Sequence, residues 1–318
     1  MKIVSIMWSS YANMLVRAAG NVADILEVSA YSSKVLEEDP EKVDAVLKEA
    51  ADADIIFLYR SSEGFWEVIE NQIEELGKNI PVVCCGYDPS YWTLSTVRPE
   101  IVAEVNSYVV INGEENFINM LRYIAREAGG LDIEAEKPKP VPWEGLYHPE
   151  APVSHFSAVD EYLKWHEEYK GQKSRVGESE GQKSTVGILF TRHQWVNENL
   201  EVEDALIREL ERLGLDVIPV FSYSVKDEER GCKGSGEVVC ETFLRPDGTS
   251  RIDIMIKLQN FPLQSSREKG HDNKEIAAEG IEILKKIGVP VISPVTSYYK
   301  TIDEWENEMD GIGSSVGW

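Results

Sequence analysis

Apolar positions along the first 130 residues follow two alternating rhythms. Short apolar runs near residues 2–8, 25–31, 54–59, 81–86 and 108–111 predict strands. Two of them, Ile55-Ile56-Phe57-Leu58-Tyr59 and Val82-Val83-Cys84-Cys85, are apolar without a break, as suits strands covered on both faces. Helical spacing fills the gaps at roughly residues 11–19, 40–51, 64–76, 98–106 and 114–127. Strands alternating with helices predict a parallel, doubly wound α/β unit over residues 1–130.

Residues 131–184 break that rhythm. The run AEKPKPVPW is proline-rich and predicts a semi-rigid linker, followed by a short helix. Gly-Gln-Lys-Ser then occurs at 171 and again at 181, a local duplication that predicts a mobile loop. Residues 185–318 resume the α/β pattern. An apolar run at 186–190 leads into an amphipathic helix with Ala205, Leu206, Ile207, Leu210 and Leu213 on one face. The helix stops at Gly214, and a second apolar run covers 217–221, completing a βαβ unit. Residues 237–260 read as a hairpin turning at Pro246-Asp247-Gly248. A helix over 273–287 precedes a strand at 289–292, and Thr301 with Glu304 forms a capping-box pattern that opens another helix. The glycine- and serine-rich end supplies no closing element, so this second domain is expected to be incomplete at its C-terminus.

Charge narrows the function classes. The chain carries a formal net charge of −24 over 318 residues. Phosphate backbones and anionic membrane surfaces need a basic face, so nucleic acid and anionic lipid are poor partners. No apolar run reaches the length of a membrane span, and the opening residues do not read as a signal peptide. Cys84 and Cys85 sit in an apolar run, and Cys232 and Cys240 lack a C-x-x-C spacing. A cytoplasmic protein with reduced thiols is the expectation.

Several chemistries leave no trace. There is no P-loop, no G-x-G-x-x-G after a strand, no G-x-S-x-G and no H-E-x-x-H. His148 and His155 lie seven residues apart in the linker and could hold a metal, but no metal site is assigned to this stretch. What remains is a polar and aromatic cluster after the strand at 186–190: Arg192, His193, Trp195, Asn197 and Asn199. Open parallel sheets place ligands at that carboxyl edge.

Residues 185–225 resemble the large subunit of the metal chelatases that load tetrapyrroles: the cobalt-inserting subunit of cobalamin synthesis and the H subunit of magnesium chelatase. The shared pattern comprises Phe190, Arg192, Trp195, Asn199, Asp204, Ala205, Leu206, Gly214, Leu215, Val217, Pro219, Val220 and Phe221. The stretches 94–100 and 115–123, Tyr147-His148-Pro149 and the segment 290–305 also match, the last with one residue fewer before Ser297-Tyr298-Tyr299. The resemblance implies a fragment from the N-terminal region of a longer subunit, built from two Rossmann-like or flavodoxin-like units.

It further implies a metal chelatase that acts as a full-length complex, with this fragment alone inactive. Cobalt or magnesium is then the substrate metal. ATP-Mg is used by AAA+ ATPase partner subunits, and this stretch binds no cofactor of its own. A tetrapyrrole is a flat ring edged with carboxylates, so its site needs aromatic faces and cationic donors. Arg192 suits a propionate and Trp195 suits stacking on the ring. His193 suits the metal or a pyrrole proton. Asn199 and the Tyr298-Tyr299 pair complete the expected tetrapyrrole-binding set. The same residues also suit turn capping and packing. Without the resemblance, the two units and their linker would read as a small-ligand-binding or scaffold module.

Overall fold

The computed structural model describes residues 1–61, 64–173, 184–263, 273–294 and 302–307. The chain divides into two compact units, Met1–Val141 and Pro142–Trp318. The division falls at 141/142, whereas the sequence pattern sets the linker over 131–184.

The first unit runs β1 (Lys2–Met7), α1 (Ser9–Gly20), β2 (Glu27–Ser32), α2 (Ser33–Glu38), α3 (Pro40–Ala51), β3 (Ile55–Arg60), α4 (Phe65–Leu76) and β4 (Val82–Gly86). It closes with α5 (Pro99–Ile111) and α6 (Glu114–Glu127). Its four strands are all parallel, in the order β2-β1-β3-β4. Alternation along β1 and β3 feeds two apolar layers. Ile3, Met7, Phe57 and Tyr59 meet Leu15, Val105 and Phe117 on one face. Val4, Ile6, Ile56 and Leu58 meet Val46, Trp66 and Ile69 on the other. The result is a doubly wound sheet with helices on both faces.

The strand expected at 108–111 is instead the last turn of α5. The reason is periodicity: Ile101, Val102, Val105, Tyr108 and Val109 are buried at helical spacing behind Pro99 at the helix start. The proline-rich run beyond α6 is held along that helix rather than left free. Asn116 exchanges hydrogen bonds with the Lys139 backbone, and Asn119 accepts from the Glu136 amide. The Tyr108 hydroxyl donates to the Glu136 carbonyl.

The second unit begins with β5 (Glu144–Leu146) and α7 (Val159–Lys173), then β6 (Thr185–Thr191), α8 (Arg192–Val196), α9 (Glu201–Arg212) and β7 (Asp216–Ser222). It continues with α10 (Ser235–Phe243), β8 (Ile254–Lys257), α11 (Asn273–Ile287), β9 (Val291–Ile292) and α12 (Ile302–Asn307). The sheet order is β5-β7-β6-β8-β9, antiparallel only at β5. Without β5, the parallel strands repeat the order of the first unit.

The hairpin expected over 237–260 does not form. Val238, Val239, Thr242 and Phe243 are buried on one face of α10, so the first arm is a helix capped by Glu237. Pro246-Asp247-Gly248 does turn the chain, but from α10 into β8, which runs parallel to β6. The repeat at 171 and 181, as well as Tyr298 and Tyr299, falls wholly or partly outside the described residues.

β6 is the central strand, and Gly187 sets its packing. A Cβ there would lie 2.7 Å from Ile252 Cδ1 and 2.9 Å from Phe243 Cζ. Both neighbours are buried, so the added methyl has nowhere to go. Gly187→Ala is expected to destabilise the chain by about 1–3 kcal/mol, read from the denaturation midpoint.

Candidate functional site

The carboxyl edge of the second sheet begins where β6 runs out of cover. Val186, Ile188, Leu189 and Phe190 are buried, and Thr191 is the first residue at the rim. Polar side chains cannot follow the strand into that core without partners, so they turn out at this edge into the short helix α8.

The four predicted residues that are described take up different neighbours. Arg192 is buried: its Nε donates to the Pro142 carbonyl at 2.6 Å, and its guanidinium lies 4.3 Å from the centre of the Trp143 ring. His193 is half-buried, and the Asn197 amide donates both to its Nε2 at 3.0 Å and to its carbonyl at 2.8 Å. A primary amide NH₂ only donates, so Nε2 accepts and a neutral His193 carries its proton on Nδ1. Trp195 stacks on Phe221 with ring centres 4.2 Å apart and planes 9° apart, and its indole N–H donates to the Ser154 carbonyl at 2.9 Å. His155 meets the edge of the same tryptophan at 5.4 Å. Asn199 is exposed and tied back to Gln194 through its backbone N–H at 3.0 Å. The loop therefore places Trp195 between buried Phe221 and His155, two residues along the chain from His193, while Arg192 is committed to Trp143.

Two residues on α9 escape the sequence reading. Glu203 lies on the buried stripe one turn before Ile207 and is 4 % exposed. Burial pushes its carboxyl up to about 7. A charged residue at an apolar position of an amphipathic helix is the signal that could have found it. Glu211, two turns further, has the opposite fate. Burial opposes its ionisation, but hydrogen bonds from His148 and His166 outweigh it and hold the carboxyl at about 2.

Among the described residues, His148, His166 and Glu211 form one group with ligand atoms close enough to hold an ion, all within 4.8 Å of one another. The donor set matches many zinc centres, but the hydrogen pattern does not. The Glu150 amide donates to His148 Nδ1 at 3.1 Å, so neutral His148 carries its proton on Nε2. A metal-bound imidazole needs the reverse: a lone pair on the bound nitrogen and an N–H on the other. The group fits a hydrogen-bonded clasp, in which His148 Nε2 at 3.1 Å and His166 Nε2 at 2.9 Å donate to one Glu211 oxygen. It fastens the Tyr147-His148-Pro149 segment and α7 to α9. His155, the other linker histidine, lies apart from it beside Trp195.

The cysteines take no part. Cys84, Cys85, Cys232 and Cys240 are free thiols, and burial raises each of them.

The two α9 carboxyls make opposite predictions. Glu211 is lowered from 4.5 to about 2, so its stabilisation is present above pH 4.5 and is lost as pH falls toward 2. Glu211→Gln should cost about 3 kcal/mol at pH 7, with the gap to wild type closing between pH 4.5 and 2. Glu203 is raised from 4.5 to about 7, so ionising it costs stability as pH rises through that window. Glu203→Gln should stabilise the chain at pH 8 by up to about 3 kcal/mol and have little effect below pH 4.5. Urea denaturation of both variants across pH checks the signs.

Comparison with known proteins gives these features a context. The family model described as CobN/Magnesium Chelatase matches residues 106–317. An uncharacterized protein of Methanocaldococcus jannaschii is 33% identical over 100% of this chain and 23% of its own length. The H subunit of magnesium chelatase from Chlorobaculum parvum is 27% identical over 63% of this chain and 14% of its own length. The catalytic subunit of cobaltochelatase from Mycobacterium tuberculosis shares the fold, with a TM-score of 0.51 and 14% identity over 98% of this chain and 23% of that subunit. The chain thus spans less than a quarter of these relatives. No helix among the described residues is long and apolar enough to cross a membrane. With the family pattern covering both the carboxyl-edge loop and the strands that build it, the chain belongs to the CobN/magnesium chelatase family.

Proposed function

We propose that this chain forms part of the tetrapyrrole-binding wall of the large subunit of an ATP-dependent metal chelatase in the cytoplasm. We favour cobalt insertion into a corrin precursor over magnesium insertion into a porphyrin, on the resemblance of the 185–225 and 290–305 stretches to the cobalt-inserting subunits. The metal is substrate. ATP hydrolysis belongs to AAA+ partner subunits, in keeping with the lack of a P-loop in this sequence.

One observation carries the reading. Trp195 stacks on buried Phe221 and meets His155 at a carboxyl sheet edge inside the family-matched region, two residues along the chain from His193. A flat conjugated ring binds by stacking on such a group. His193 has its Nε2 engaged by Asn197, so it takes a pyrrole proton only when that amide is displaced. Arg192, buried on Trp143, supports the loop from beneath, and its pairing with a propionate requires the guanidinium to leave that ring.

Tryptophan quenching on titration with metal-free porphyrin and corrin-pathway rings tests the proposal. Saturable quenching is expected, tighter for the corrin-pathway ring. Trp195→Leu should weaken it about fivefold, the loss of one aromatic contact, without lowering the melting temperature by more than a few degrees. Unchanged affinity in that variant would remove the stacking platform from the site.

A further inference from the structure

The second sheet reverses its winding between β6 and β8: the chain leaves β6 toward β7 on one side and returns to β8 on the other. A doubly wound sheet opens a crevice above the carboxyl ends of the strands at that reversal. Lys257 is the last residue of β8 and stands opposite Leu189 of β6. Met255, two residues earlier on the same face, is buried in the core layer that also holds Leu189, so Lys257 continues an apolar row with a cation. Its side chain runs forward to the rim, where the ammonium donates to the Gln259 carbonyl. It makes no ion pair among the described residues, in a chain with 56 carboxylates and 32 Lys and Arg residues. Burial disfavours its charge without a carboxylate to offset it.

Gln259 stands beside it, 0 % exposed. Its amide nitrogen donates to the Phe190 carbonyl at 3.0 Å, the Ser222 carbonyl at 3.1 Å and the Ser222 hydroxyl at 2.9 Å. That leaves Oε1 buried without a partner among the described residues, although a buried acceptor normally finds a donor. The nitrogen is fixed by three acceptors at the rim of β6 and β7, so the amide cannot flip to relieve the oxygen. Asn260 and Phe261 follow as exposed residues, and the Ser293 hydroxyl beyond β9 donates to the Lys257 carbonyl at 3.4 Å. A cation with no ion pair among the described residues and the exposed Phe261 thus follow one another at the end of β8, where the topology opens the sheet.

From these placements we infer that Lys257 is the anchor for a carboxylate of a ligand entering the crevice over β6 and β8. Building on the proposed function, the ligand is a tetrapyrrole and the carboxylate one of its peripheral acids. The ammonium of Lys257 has donors left after Gln259 to pair with it, and half-burial strengthens that pairing over one in open water. The exposed ring of Phe261 adds apolar contact at the crevice mouth.

The test is quenching titration of the whole chain with a metal-free tetrapyrrole as the free acid and as its methyl ester. Lys257→Met should weaken the free acid about tenfold and leave the ester unchanged, while Lys257→Arg keeps the free acid within about twofold of wild type. Wild-type melting of both variants shows that the fold survives. Free-acid binding that is equal in wild type and Lys257→Met overturns the role of Lys257 and leaves the tetrapyrrole reading intact. Equal weakening of acid and ester overturns the carboxylate pairing. Wild-type chain that binds neither form overturns the tetrapyrrole reading, and this inference with it.

Discussion

The double cover over β6 governs the second unit. Leu189 packs with Val220, Phe243 and Met255 on one face, and Ile188 and Phe190 pack with Ile207 and Phe221 on the other. Both faces are lined with apolar side chains, and at Gly187 one face has no room even for a methyl group. Polar chemistry is therefore driven to the strand end. There Arg192, His193, Gln194, Ser222 and Gln259 gather within a few residues of the last ladder bonds. The Gln259 amide ties the ends of β6 and β7, which gives the loops that leave them a fixed base. A rigid rim of this kind is what a binding loop needs, because loop side chains hold position only as well as the backbone beneath them.

The helix α9 shows how position alone sets the chemistry of a side chain. Glu203 and Glu211 are the same residue type on the same 12-residue helix. Glu203 lies on the apolar stripe with no cationic or imidazole partner among the described residues, so burial dominates and favours its neutral form. Glu211 faces two imidazole N–H groups, and those donors outweigh its burial. One carboxyl is poised near neutrality, and the other is an ionised strut that joins three segments. The clasp also shows that a metal-like residue set is not a metal site until its protons have been placed. A single backbone N–H, from Glu150 to His148, distinguishes the two.

The two units repeat one winding order, with β5 and α7 added ahead of the second. The segment before β6 in sequence is thereby built into the unit that follows it. Leu146 of β5 and Tyr162 of α7 join the same core layer as Leu189, and the Tyr162 hydroxyl donates to the Val217 carbonyl at 2.8 Å. The family match over 106–317 takes in all but the last residue of this unit.

Much of this was open to reading from the sequence. The unbroken apolar runs of β3, β4, β6 and β7 announce strands covered on both faces, since only such strands lack a polar alternation. The βαβ unit around α9 and the polar loop after β6 follow from local spacing, and the family pattern lies in that loop. Tertiary structure decided what spacing leaves ambiguous. Residues 108–111 and 237–243 are short apolar stretches compatible with strand or helix, and packing against neighbouring layers made both helical. The partners of Arg192 and Trp195, the clasp on Glu211 and the meeting of Lys257 with Gln259 at the winding reversal join residues distant in the chain or depend on their burial. Local sequence carries periodicity and chain direction; it does not carry which buried atoms end up facing one another, and that is what sets proton positions, charge and binding.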